Sequence, residues 1–287
     1  MDYMLIPKLF IAFFVFLMGI CIGSFLNVLI YRIPKKENFT TTNSHCMTCN
    51  HRLYAKDLVP LFSWIFLGGK CRYCKAKISP QYPIVEAFNG IMYALVFWFV
   101  TDGQLNLATV GYCLAISALI VASAIDIKIM EIPDSMWVTI LVGGILVYIN
   151  DLIANGFIFE NLIERVIGFF TASTILFVLA VVTKGGMGGG DIKLMAACGF
   201  LLGWQLVLLS LIFGALFGTI YFIVVYLKNR KKEEKMDHKV PFAPHLALAV
   251  AVCIFVGQQF LDWYLFVCGI TAPHECEACG GTHTHVH

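Results

Sequence analysis

Long apolar runs alternate with short polar breaks along almost the whole chain. Runs at 9–31, 82–100, 107–125, 136–153, 162–183, 204–227 and 243–267 reach or approach the roughly 20 apolar residues that a helix needs to cross a bilayer core. A shorter run, "IKLMAACGFLLG" at 192–203, follows a glycine-rich break and is counted as one further, short crossing. The pattern therefore predicts an all-α polytopic membrane protein with about eight transmembrane helices. The first run is too long for a signal-peptide core and no small-residue cleavage site follows it, so it reads as a retained helix.

Composition agrees. Of 287 residues, 59% are hydrophobic and only 13% charged, against roughly a quarter charged in soluble domains. The net charge of +2 says less than the placement of the cations. The segment 32–80 is rich in Lys and Arg, as are the breaks holding Lys128, Lys184 and Lys193, and the run "KNRKKEEKMDHK" at 228–239. The opposite breaks, "TDGQLN", "NDLIANGFIFEN" and "GWQ", carry neither Lys nor Arg. The positive-inside rule places the first set in the cytoplasm, and the alternation works only if the short run is a true crossing.

Within the long polar segment, Cys46 and Cys49 form one C-x2-C pair and Cys71 and Cys74 a second. Two such pairs offer four thiolates to one tetrahedral ion, and zinc is the reading the spacing favours, with a structural role because no coordination position stays open. Iron–sulfur ligation and disulfides are the alternatives, the latter disfavoured in a cytoplasmic loop. Cys21, Cys113, Cys198, Cys253 and Cys268 read as small apolar residues of the spans. The tail at 271–287 holds Cys276, Cys279, His283, His285 and His287, and is assigned no function.

Two acidic residues stand where helices meet the cytoplasmic face. Asp126 ends the third run in "SAIDIKIMEIPD", and Asp191 follows the glycines of "KGGMGGGDIKLM". One helical hairpin separates them, which returns both to the same depth. Membrane-level carboxylates are functional by default, and two that meet can share a proton, one acting as base on water while the other polarises a carbonyl. An ion-coupled transporter would use the same pair, but no internal repeat is visible. A non-catalytic zinc-loop scaffold is the third reading.

Five motifs in order, "GSFLNVLIYRIP" (23–34), the paired C-x2-C loop, "QYPIVEAFNG" (81–90), "DIKIMEIPD" (126–134) and "GGGDIK" (188–193), resemble those of the bacterial type IV prepilin peptidases, G-x-G-D aspartic membrane proteases. The resemblance covers nearly the whole chain. It implies Asp126 and Asp191 as the catalytic pair, cleavage of the leader of type IV prepilins or pseudopilins, and an inner-membrane enzyme facing the cytoplasm. It further implies N-methylation of the new N-terminus from S-adenosylmethionine, with Asn27, Arg32, Glu86 and Gly90 in the methyl-transfer region.

The implied organisation is a first transmembrane helix at 1–33 and a four-cysteine zinc loop at 34–80, its methyl-transfer region reaching about 90. A transmembrane peptidase domain at 81–270 and the polar tail complete it. The expected partners are the substrate and the lipid bilayer, and no nucleic acid. "PFAPHLAL" at 241–248 departs from the family pattern at Ala243 and His245, where His245 is expected to line a helix with a backbone partner. Asp134 is expected to cap the helix that follows it.

Overall fold

The computed structural model describes residues 5–38, 44–184, 186–230 and 241–269. The Cys/His tail and most of the basic run at 228–239 lie outside the described residues. The elements in order are α1 (Leu5–Arg32), α2 (Phe62–Phe66), α3 (Gln81–Leu95), α4 (Leu107–Ile129), α5 (Asp134–Asn155), α6 (Phe159–Val182), α7 (Gly189–Leu202), α8 (Trp204–Arg230) and α9 (Ala243–Val267). A π turn, Val96–Val100, continues α3, and two isolated antiparallel bridges are the β pairing among the described residues.

Seven of these helices are long and apolar enough to cross a membrane. The chain is a multi-pass membrane protein. The expected eighth crossing is α7, whose 14 residues span about 21 Å, shorter than a bilayer core of about 30 Å. It is buried along nearly its whole length, packed among α5, α6, α8 and α9. Arg165 fastens its far end by donating to the carbonyls of Phe200 and Leu201 while pairing with Asp151 at 2.6 Å.

The helices join in hairpins that close on glycine. A Cβ at Gly19 would stand 2.7 Å from Gly90 Cα, one at Gly111 2.4 Å from Gly143 O, and one at Gly168 2.3 Å from Gly199 O. These mark the α1/α3, α4/α5 and α6/α7 contacts. In lipid the hydrophobic effect does not drive helices together, so close backbone approach and interhelical hydrogen bonds carry the association. A buried polar chain supplies such bonds between α1, α3 and α4. Asn89 donates to Gly19 O at 2.7 Å, Ser117 donates to Asn89 Oδ1, and the Tyr93 hydroxyl meets Ser117 Oγ at 2.9 Å.

The central α4 is enclosed by α5, α9 and the α1/α3 pair, and its lower half forms the core with Leu26 and Ile30 of α1, Leu194 and Met195 of α7, and Leu246 and Val250 of α9. Cys113, Cys198 and Cys253 are buried as the sequence suggests, whereas Cys21 and Cys268 lie on exposed faces.

Candidate active site and metal centre

Asp126 lies in the last turn of α4 and Asp191 in the first turn of α7. Both are buried, and the Asp126 carboxyl lies within electrostatic reach of Asp191. The structure thus brings together the pair that one hairpin was expected to return to one depth. A third element completes the surroundings. The N–H of Ala243, at the start of α9, donates to Asp126 Oδ2 at 3.0 Å, with the amide of Phe242 also turned to this carboxylate. The partial positive charge of the α9 N-terminus therefore offsets the unfavourable C-terminal end of α4. Asp191 has the Gly188 amide beside it, but its Oδ1 is buried with no hydrogen-bond partner among the described residues.

The sequence reading missed the α9 amides. Their trace was "PFAP", since proline in the first turn marks a helix start whose free amides point outward. His245 behaves as expected, with Nδ1 3.1 Å from Pro241 O, and its ring also lies against Tyr221 and within electrostatic reach of Asp126.

The glycine run does its work through space and not through unusual dihedrals. None of its described glycines has a positive φ; that conformation belongs to Lys184 just before them. A Cβ on Gly190 would stand 2.9 Å from Ile132 Cβ, so this glycine lets the α7 start seat against the break after α4. Gly189, by contrast, has open space around it. Pro133, not Asp134, caps α5; Asp134 is the first helical residue, and its carboxylate accepts from Trp137 Nε1 at 2.9 Å and from Lys193 Nζ at 2.7 Å. Lys193 is thereby committed to Asp134 and not to Asp191.

The four loop cysteines converge. All four sulfurs lie within 4.8 Å of one another, and Cys46 Sγ is 3.8 Å from Cys74 Sγ. Four thiolates about 2.3 Å from a tetrahedral ion would be separated by about 3.8 Å, whereas a disulfide needs about 2.05 Å. The cluster could hold a metal ion. Each C-x2-C pair sits in the same kind of turn. The amide of Cys46 bonds to His51 O and that of Asn50 to Cys46 O; likewise Cys71 to Ala76 O and Lys75 to Cys71 O. Asn50 and Lys75 both take left-handed φ, and the bridges His45–Arg52 and Lys70–Lys77 close the two turns. Amides of Cys49 and Thr48 turned to Cys46 bring its thiol down to about 6, while Cys74, despite the Ala76 amide, is pushed up to about 11 by burial and its neighbouring sulfurs. Four sulfurs this close ionise together only around a cation.

Between α1, α3 and the cysteine loop lies a cavity of about 510 Å³. Asn27, Arg32 and Glu86 line it, while Gly90, one turn beyond Glu86, lies outside it at the α1/α3 crossing against Ile20 and Phe16. Asn27 donates to Gly23 O and Tyr82 O, which leaves its buried Oδ1 without a partner among the described residues. Glu86 accepts from the Leu61 amide at 2.7 Å and meets Ser24, and Arg32 donates to Asn38 O. The cavity is of ligand size and mostly apolar, with converging acceptors.

The family model of the bacterial peptidase A24 N-terminal domain matches residues 17–100, and that of the type IV leader peptidase family matches 113–223. A prepilin leader peptidase/N-methyltransferase of Aeromonas salmonicida is 32% identical over 88% of this chain and 92% of its own. The chain belongs to the prepilin leader peptidase/N-methyltransferase family. A member from Stutzerimonas stutzeri is 33% identical over 86% of this chain and 91% of its own, and one from Pseudomonas aeruginosa 29% over 94% and 98%. No solved structure matches the chain. The first family match covers the cavity and the cysteine cluster, and the second covers Asp126 and Asp191.

Proposed function

We propose that this protein cleaves the leader peptide of prepilins or pseudopilins with Asp126 and Asp191, on the cytoplasmic face of the bacterial inner membrane, and methylates the new N-terminus at the cavity lined by Asn27, Arg32 and Glu86. The observation that carries the peptidase reading is that two buried carboxyls, one ending α4 and one starting α7, lie within electrostatic reach of each other. Two like charges that close do not both ionise. Asp126, held by the Ala243 amide, takes the anionic role and accepts a proton from the attacking water. Asp191 carries the shared proton and donates to the scissile carbonyl, which its unpartnered Oδ1 leaves it free to do.

In the cavity the residues fit S-adenosylmethionine, which supplies an electrophilic methyl group when bound. The unpartnered Oδ1 of Asn27 and the Glu86 carboxylate would accept from its ammonium group, and the Arg32 guanidinium would offer a cation to its carboxylate. The four cysteines hold zinc, which folds the loop over this cavity; Cys46 and Cys71 line the cavity as well as the cluster.

Intact mass measurement of a prepilin after incubation with the bilayer-reconstituted protein tests both activities at once. Loss of the leader together with the mass of one methyl group is expected. Asp126→Asn and Asp191→Asn should each leave the prepilin uncut, and Asn27→Leu should leave a cut, unmethylated product. Substantial cleavage by either Asp variant would sink the paired-carboxyl reading.

A further inference from the structure

We infer that residues 58–69 form a re-entrant hairpin inserted into the lipid, so that the loop between α1 and α3 is a membrane-anchored unit. This differs from a loop lying wholly in water, and it stands independently of the peptidase and methyl-transfer readings.

Depth is the first argument. The Leu61 amide bonds to Glu86, which also meets Ser24. Glu86 lies five residues inside α3 from Gln81, about 8 Å along the helix, and Ser24 lies eight residues before the end of α1, about 12 Å. Both helices are of membrane-crossing length and composition. The chain therefore leaves α1, builds the first cysteine turn, dips to the depth of Ser24 and Glu86 at Leu61, and comes back out to build the second cysteine turn before α3 begins.

Composition is the second. No charged residue occurs between Asp57 and Lys70, and the stretch "LVPLFSWIFLGG" has an apolar length suited to a re-entrant segment and not to a full crossing. One face of it packs on the protein through Leu61, Trp64 and Leu67, and the other is bare: Phe66 is 84%, Ile65 62% and Phe62 50% exposed, in the range of lipid-facing residues of the spanning helices such as Val182 at 73%. A soluble loop would bury or avoid such groups.

The third is the backbone. Peptide groups in lipid must be satisfied internally. The Leu61 amide goes to Glu86, Phe62 to Pro60 O and Ser63 to Val59 O; at the other end Leu67 bonds to Ser63 O, Gly68 to Ile65 O and Gly69 to Trp64 O. Charge around the hairpin fits as well. Arg52, Lys56, Lys70, Arg72, Lys75 and Lys77 are all exposed on the flanking turns, where anionic headgroups would meet them. The occupant of this apolar face is thus the bilayer, continuous with the surface of α1 and α3. Leu58, Trp64 and Leu67 of the hairpin also line the 510 Å³ cavity, which places one wall of that cavity at the lipid boundary.

The test is photo-crosslinking of the full-length protein in nanodiscs of phosphatidylethanolamine and phosphatidylglycerol. Phe66 is replaced by p-benzoylphenylalanine, and in a second protein Tyr73, on the cysteine turn, is replaced instead. Irradiation should yield an adduct to phospholipid acyl chains from position 66 and none to acyl chains from 73, which lies at headgroup level. Absence of a lipid adduct at 66, or an adduct to a second copy of the chain, overturns the proposal. Amide exchange across 61–69 supplies a measurement without substitution: exchange as fast in nanodiscs as in a short denatured peptide would equally overturn it.

Discussion

The amide of Ala243 donates to Asp126 Oδ2 across 3.0 Å, which ties the carboxylate at the end of one helix to the beginning of another 117 residues on. A hydrogen bond to a charged group is worth about 1.5–3 kcal/mol. Ala243→Pro removes the donor at a position where proline suits the first turn of a helix. Cleavage should fall about 10-fold to 100-fold, following that energy, with the unfolding temperature little changed. Single-turnover kinetics with a prepilin check it; wild-type rates would show that Asp126 does not rely on this amide.

Lys193 and Asp134 join the starts of α7 and α5, and Lys193 follows Asp191 by two residues in the same helical turn. The pair is exposed, at 53% and 70%, so each single charge removal should be mild, at most about 5-fold, as for surface ion pairs. Asp134→Lys and Lys193→Asp should each slow cleavage more, and the double exchange should recover much of the loss. Failure of the double variant to exceed either single one would assign these residues a role other than pairing with each other.

The glycine run separates into two effects. Gly190→Ala forces Ile132 away from a 2.9 Å approach and should both lower the unfolding temperature and reduce cleavage, since overpacking costs about 1–3 kcal/mol. Gly189→Ala meets open space. It should leave the unfolding temperature alone and raise KM, because the open face lies beside Asp191 where a peptide backbone must approach.

Metal analysis of the purified protein should find one zinc per chain, and Cys46→Ser should release it. Loss of metal is expected to loosen residues 44–80 in amide exchange while α4 to α9 stay protected, because the four ligands all lie in that loop. Global unfolding on metal removal would refute this partition.

Acid should weaken the same loop through Asp57. Burial opposes its ionisation, yet hydrogen bonds from Arg72 at 2.6 Å, the Tyr54 amide and Tyr73 hold its carboxyl below the ordinary carboxylate value. A lowered value stabilises the folded loop fully above the unfolded value of about 3.9, and the contribution is lost as pH falls through the lower folded value. Cysteine protonation adds its own acid step, so the difference between wild type and Asp57→Asn isolates this contribution. That difference in loop exchange should be largest at neutral pH and shrink toward pH 3. A constant difference across the range would remove Asp57 from the account.

Helices were legible because apolar runs of about twenty residues have few physical alternatives, and the cysteine cluster because two C-x2-C turns carry their geometry locally. The hairpin separating Asp126 from Asp191 likewise fixed their common end of the bundle. What a linear reading lost is what arrives from elsewhere. Ala243 reaches Asp126 through a backbone amide, which has no side-chain signature, and Leu61 reaches Glu86 in the same way. Gly90 shares the motif "QYPIVEAFNG" with Glu86, yet its place is decided by the Ile20 and Phe16 side chains of α1 pressing on it.

The short length of α7 has a further consequence. A rod about 9 Å too short for the oily slab stops below the reach of the longer helices packed around it. Hydrolysis consumes water, and water is what a bilayer excludes. Asp191 stands in the first turn of that rod, buried among the longer helices, so the wall around the carboxyl is protein and water can be led to it without any lipid having to part.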